Sequence, residues 1–418
     1  MKDIKSYLES GILEQYVLGD LSNEEMLEVE QNSMIYPEIK SEIIEIESAL
    51  LNYALYNAIE PSKSLRDKVL YSIEKSNSKT RQLYSSPSKL GQFYTTNYEY
   101  LLTNMRIPDD VIDIIEPFCG YGDLLKFLKK DYNLECYDIE PKHSYIIERD
   151  TLKNPPNYDG KFILTNPPYI AKNKNDDKEI YDIYKTDDLY KCFIKSLIKS
   201  KSIGGILIIP INFICSYRNN DVKIRKDFIE RYQIRLINIF EERVFDDTSI
   251  SVCVIQYELR KDNNDEVIKI DIYPSKKSIE VQLNEKNNYM IGGEILNLYS
   301  LNTYEIERAT RNSKLENISN ILLKMIDDTN RISAIMVEDD MRIIDNTRNL
   351  SMRSYATLTI NPIITKEKQK ILAERFNEFL EENRERYHSL FLSNYRENNR
   401  KRMSFKLAFR IFKYLLDN

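Results

Sequence analysis

The sequence predicts an α/β chain: an open, mostly parallel sheet in the middle, a small helical domain before it and a mixed, mostly helical region after it. Three observations carry that expectation. Residues 111–123, Val-Ile-Asp-Ile-Ile-Glu-Pro-Phe-Cys-Gly-Tyr-Gly-Asp, run an apolar strand into an acid and a Gly-x-Gly loop, followed by an amphipathic helix from about Leu124. Residues 161–169, Lys-Phe-Ile-Leu-Thr-Asn-Pro-Pro-Tyr, run a second apolar strand into a proline-marked turn. The first 78 residues show only helical spacing of apolar side chains, as in Ile12, Leu13, Tyr16 and Val17 and again in Ile43, Ile44, Ile46, Leu50 and Leu51.

These signals divide the chain into a helical domain over 1–78, a sheet domain over 79–260 and a C-terminal region over 261–418. In the first, Ser22 with Glu25 three residues on reads as a capping box, and Lys75–Pro87 reads as a linker. In the second, Val111–Ile115 is the first strand and Asn133–Tyr137 the next, ending in Asp138. A helix-like stretch then leads to Asp150. The Asn-Pro-Pro-Tyr turn is followed by a helix from Asp187 to Ile198. Gly204–Pro210, Gln233–Phe240 and Ser251–Glu258 read as further strands. In the third, Val267–Tyr273 and Ser278–Leu283 suggest an added hairpin closed by a turn at 290–294. Helices then dominate, notably over Lys366–Tyr387.

Composition bounds the function. The chain has 418 residues and a formal net charge of −6, which argues against a wholly basic nucleic-acid binder. The charge is uneven: residues 1–78 carry 15 acids and 7 bases, while residues 396–413 hold seven bases against Glu397 alone. Those bases (Arg396, Arg400, Lys401, Arg402, Lys406, Arg410 and Lys413) alternate with Phe405, Leu407, Phe409, Ile411 and Phe412. Such a helix can lay cations on phosphates while its apolar face packs on the domain, or be an ordinary solvated face. No apolar run reaches the roughly 18 residues of a membrane span and no signal peptide is visible, so a cytoplasmic location is expected. The cysteines at 119, 136, 192, 215 and 253 show no paired spacing, and with His143 and His388 they suggest neither a disulfide framework, a metal site nor a nucleophilic triad.

The chemistry lies at the strand ends. Glycines at 120 and 122 let backbone approach a ligand closely. An acid ending the second strand, Asp138, suits ribose hydroxyls, and Asp150 is placed to receive an adenine amino group. In Asn166-Pro167-Pro168-Tyr169, the Asn side-chain oxygen and the Pro167 carbonyl can accept both hydrogens of a planar NH2 group. The prolines fix φ and offer no competing N–H, and the Tyr ring can stack on the substrate plane. Taken alone, the same four residues are also a plain turn after a strand.

In this order, these residues resemble the S-adenosylmethionine-dependent methyltransferases, and more narrowly the γ-class N6-adenine DNA methyltransferases, whose fold is a Rossmann-like seven-stranded sheet. The resemblance implies that Glu116, Phe118, Gly120 and Gly122 hold the methionine part of S-adenosylmethionine, Asp138 its ribose and Asp150 its adenine. It further implies that Gly91-Gln92-Phe93-Tyr94-Thr95-Thr96 covers the cofactor, with Thr96 where the family usually has proline. Asn166, Pro167, Pro168 and Tyr169 would be the catalytic set acting on a flipped adenine in DNA, as part of a restriction–modification reaction, and Val244–Ser249 would pack on that base. The likeness covers residues 88–260. The region beyond would read the DNA, with Arg342, Arg348, Arg353 and Tyr355-Ala356-Thr357 as candidates. Two other enzyme classes share Asn-Pro-Pro-Tyr: those methylating a glutamine amide of release factors and those methylating exocyclic amines of RNA. The N-terminal segment, Tyr7–Gly19 with Leu21–Glu25, Val29–Gln31 and Pro37–Ile39, resembles the zinc-free sigma-binding domain of anti-sigma factors, which implies a sigma factor as a partner and a regulatory alternative.

Overall fold

A computed structural model describes residues 4–8, 10–18, 21–56, 95, 97–245, 248–262, 267–327, 331–346, 354–394 and 400–418. Two compact units result, Met1–Thr80 and Arg81–Asn418. Among the described residues of the first, four helices follow one another: α1 (Ile4–Leu8), α2 (Ile12–Leu18), α3 (Asn23–Ile35) and α4 (Pro37–Tyr56). The capping box forms at α3: Ser22 Oγ accepts from the Glu25 amide at 3.4 Å, and Glu25 Oε2 accepts from the Ser22 amide at 2.9 Å. Pro37 opens α4, where a missing N–H costs nothing. Leu13, Val29 and Ile39 form a small core between α2, α3 and α4.

The second unit is built on a sheet of β1 (Asp113–Glu116), β2 (Asn133–Asp138), β3 (Ile147–Glu148), β4 (Phe162–Thr165), α5 (Leu189–Ile198), β5 (Gly204–Pro210), α6 (Asn219–Arg231), β6 (Tyr232–Phe240), β7 (Val252–Leu259), β8 (Ile268–Tyr273) and β9 (Lys277–Val281). The strand order is β3-β2-β1-β4-β5-β7-β6-β8-β9. The strands from β3 to β5 are parallel, β7 runs antiparallel between β5 and β6, β8 returns parallel to β6, and β9 closes the edge as a hairpin. This is an open α/β fold with a mixed sheet.

Nine strands therefore replace the seven expected from the sequence. The hairpin read from residues 267–283 does not stand apart. It pairs with β6, whose outer edge would otherwise leave a row of unpaired backbone groups. A second expectation is corrected at the Gly loop: in place of an amphipathic helix there is a 3-10 turn, Asp123–Phe127. Because β2 begins at Asn133, the chain has room for little more than that turn.

Burial explains the strands. All of β4 and β5 is buried, as expected of a parallel sheet covered on both faces. On one side, α5 presents Leu189, Phe193, Ile194 and Leu197 to the core, and α6 packs against it. Beyond β9, where the sequence reading placed helices, a four-stranded antiparallel sheet comes first: β10 (Glu305–Arg308), β11 (Ile318–Lys324), β12 (Ser333–Met336) and β13 (Tyr355–Asn361), in the order β10-β13-β11-β12. Helices α7 (Lys366–Tyr387) and α8 (Phe405–Asp417) pack on it, with Phe376 and Phe412 stacked at 4.3 Å between them. Among the described residues no helix is long and apolar enough to cross a membrane.

Candidate active site

The C-terminal ends of β1, β2 and β4 lie side by side, where an open α/β sheet forms its ligand crevice. A cavity of about 260 Å³ opens there. Its walls include Thr95, Glu116, Phe118, Gly120, Asp138 and Asp150 from the predicted cofactor set, and Asn166 and Pro168 from the turn after β4. Gly122 stands at the head of the loop rather than on the wall, and Thr96 falls outside the described residues.

The loop after β1 is shaped by its glycines. Gly120 and Gly122 take φ of 55° and 75°, where L side chains are strained. A Cβ on Gly122 would also meet the Tyr145 hydroxyl at 2.6 Å. Asp138 fastens this loop: Oδ2 accepts from the Gly120 amide and Oδ1 from the Glu140 amide, each at 2.8 Å. Burial raises its carboxyl pKa, and these two amides and Lys142 oppose the shift.

Glu116 is almost wholly buried at the end of β1, and its Oε2 has no hydrogen-bond partner. Burial, reinforced by Cys136 and Asp123, pushes its pKa well above the usual carboxylate range. A carboxyl oxygen without a partner in a cavity wall fits a ligand ammonium or another strong donor. Phe118 meets Phe193 edge-on at 5.3 Å, which anchors the loop to α5. Asp150 Oδ1 accepts from the amides of Leu152 and Lys153 at 3.1 and 3.0 Å, which fixes its carboxyl on the cavity rim.

Asn166 donates from Nδ2 to Thr95 Oγ1 at 3.0 Å, joining the segment before β1 to the turn after β4. The Tyr169 hydroxyl lies against both Asn166 Oδ1 and the Ile208 carbonyl. The Tyr169 ring is buried, meets Tyr190 edge-on at 6.3 Å, and faces a second cavity of about 620 Å³ that also takes in Pro210, Asn212, Ile250 and Ser251. The Asn-Pro-Pro-Tyr turn thus stands between two cavities, Asn166 and Pro168 on one side and Tyr169 on the other. Pro167 is on neither wall.

Sequence reasoning missed part of the first wall. Ile139 follows Asp138 directly and is 46% exposed, an apolar surface beside the carboxylate. Its adjacency to the strand-ending acid was the available signal. Asn175 and Asp177 come from the loop after the Asn-Pro-Pro-Tyr turn, where nothing in the local pattern marks them. Of the candidate DNA-reading residues, Arg342 is held by Asp339 at 3.0 Å and by Asn320 Oδ1 at 2.9 Å, and Arg348 and Arg353 lie outside the described residues. In the segment 244–249, Phe245 is buried and Asp246 and Asp247 lie outside the described residues. All five cysteines are buried free thiols, and among the described residues no group of His, Cys, Asp or Glu could hold a metal ion.

The family described as N-6 DNA Methylase matches residues 130–357, more than half of the chain. No curated protein matches. Among solved structures, a protein described as a type I restriction-enzyme modification subunit from Vibrio vulnificus is 12% identical, over 61% of this chain and 66% of that one, with a TM-score of 0.42. A type I restriction–modification methyltransferase subunit from Streptococcus thermophilus is 16% identical, over 69% and 73%, with a TM-score of 0.38. The chain thus spans just under two thirds of the first of these. Neither these likenesses nor the family match supports the sigma-factor partner expected from residues 1–78.

Proposed function

The chain belongs to the N-6 DNA methylase family, and on that premise we propose that it transfers a methyl group from S-adenosylmethionine to N6 of adenine in DNA, within a restriction–modification system in the cytoplasm. One observation carries the reading: the Gly loop, both strand-end acids and the Asn-Pro-Pro-Tyr turn converge on one cavity, and that turn backs onto a second.

The residues divide by task. Gly120, Gly122 and Phe118 shape the wall for the methionine part of the cofactor, and Glu116 Oε2 suits its ammonium. Asp138 accepts from ribose hydroxyls, Asp150 from the adenine amino group, and Thr95 closes the cavity. When bound, S-adenosylmethionine supplies a methyl group on a positively charged sulfur. The target base must leave the duplex to reach the turn. Asn166 Oδ1 and the Pro167 carbonyl then accept the two N6 hydrogens. This draws the nitrogen toward tetrahedral geometry and frees its lone pair for a bond to the methyl carbon; the carbon–sulfur bond would break with its electron pair going to sulfur, and one N6 proton would be lost to solvent. Pro168 keeps the turn rigid, and Tyr169 stacks on the base, worth about 1–3 kcal/mol. Since Asn166 Oδ1 sits against the Tyr169 hydroxyl, the incoming amine takes its place beside or instead of that hydroxyl. Positioning and charge complementarity supply the rate.

The test is transfer of labelled methyl to unmethylated DNA, with RNA and a release factor as parallel acceptors. Label in DNA supports the reading. Label confined to RNA or protein overturns the acceptor.

A further inference from the structure

The basic stretch near the C-terminus forms a defined surface. On α8, Lys406, Arg410 and Lys413 recur every three or four residues and so share one face, while Leu407, Ile411 and Phe412 on the opposite face are buried. These three cations line one side of an open groove of about 730 Å³. The other side is the segment before β10, including Tyr299, Ser300 and Asn302. Tyr299 is 75% exposed, an aromatic face standing in water at the groove's edge.

The groove is held open by one acid. Asp417, at the end of α8, accepts from the Ser300 hydroxyl and the Leu301 amide, both at 2.6 Å. Its carboxyl is thereby spent on fastening the opposite wall, and its pKa is lowered by Ser300 first and by Lys413 to a smaller degree. Lys406 and Arg410 form no ion pair with any described residue. In a chain of net charge −6, three cations on one groove, two of them without an ion pair to any described residue, fit an anionic partner. Along a helix rising about 1.5 Å per residue they span roughly 10 Å, about three phosphate steps of one DNA strand at 3.4 Å of axis each.

We propose that this groove binds the phosphate backbone of duplex DNA: Lys406, Arg410 and Lys413 contact successive phosphates, and Tyr299 packs on the adjoining sugar. The proposal rests on DNA being the substrate and adds the surface that holds it. Phosphate contacts position the duplex without reading its sequence.

The experiment compares the full-length wild type with a Lys406→Gln/Arg410→Gln/Lys413→Gln variant and a Lys406→Arg/Lys413→Arg variant. Duplex DNA binding is titrated at several salt concentrations, and methyl transfer to DNA, RNA and release factor is measured separately. Thermal melting and S-adenosylmethionine binding show whether each variant is folded. Losing three phosphate contacts should flatten the log–log salt slope by about 0.9 each. Between 50 and 200 mM salt, wild-type affinity should then fall roughly 40-fold more than that of the Gln variant. The Arg variant should keep the wild-type slope. Equal slopes in folded wild type and Gln variant overturn the groove and leave methyl transfer to DNA standing. A flattened slope with label found only in RNA or protein upholds the groove and overturns the acceptor. A wild type that does not bind DNA overturns both.

Discussion

Asp138 and Tyr169 have separable tasks, because one fastens the Gly loop and the other faces the second cavity. Replacing Asp138 by Ala removes a charged acceptor from two backbone amides, a loss of about 1.5–3 kcal/mol, or roughly ten- to a hundredfold. We expect that loss in the dissociation constant for S-adenosylmethionine, read by calorimetry. Tyr169→Ala should leave that constant near the wild-type value and lower the turnover number strongly. A loss of cofactor affinity in Tyr169→Ala would contradict the stacking role. Glu116 yields a pH prediction. Burial raises its carboxyl pKa well above the usual carboxylate range in the free protein. A bound ammonium would favour the ionised form, so binding should release a proton and affinity should rise with pH until the free acid itself ionises. Calorimetry in buffers of different ionisation enthalpy would detect that proton, and Glu116→Gln should abolish its release. Glu116, Asp138, the glycines and the Asn-Pro-Pro-Tyr turn were legible in the sequence because each ends or follows an apolar strand, whereas Asp150 follows the short strand β3, where the sequence suggested a helix-like stretch. Asn175 and Asp177 were not, because only the folded loop brings them to the wall.

At the scale of elements, the centre of the sheet depends on β5 lying close to its neighbours. A Cβ on Gly205 would come within 2.6 Å of the Ile163 carbonyl and 2.8 Å of Tyr257 Cε1. Both neighbours are sheet residues with no room to retreat, so Gly205→Ala should cost about 1–3 kcal/mol. Urea unfolding would show this as a lower midpoint with an unchanged slope. Strands β4 and β5 were legible as continuous apolar runs. Strand β11 was not: it is buried throughout yet carries Ser319, Asn320 and Lys324. Those polar groups find partners inside, as Asn320 does with the Val337 carbonyl and Asp339, each at 2.8 Å. Neither an apolar run nor a period-two alternation survives in such a strand. The turn after β1 was misread for a related reason: an amphipathic pattern does not reveal how little chain remains before the next strand.

At the scale of the molecule, each compact unit has its own core, and the family match begins at residue 130, within the second. A unit with its own core can fold alone. A chain of residues 81–418 should therefore keep its turnover number within about twofold of the full chain. A larger loss, with the fold intact by thermal melting, would assign residues 1–80 a part in catalysis. The helices of the first unit were legible from spacing and capping, whereas a partner for them is not written in any cavity or catalytic group.

The most direct test of the account is the identity of the methylated base. DNA labelled from S-adenosylmethionine by the full chain should be digested to nucleosides and separated, with mass detection. The label should reside in N6-methyldeoxyadenosine, and Asn166→Ala should abolish it. Label in N4- or 5-methyldeoxycytidine, or an Asn166→Ala variant with undiminished transfer, would contradict the assignment of the Asn-Pro-Pro-Tyr turn to an adenine amino group.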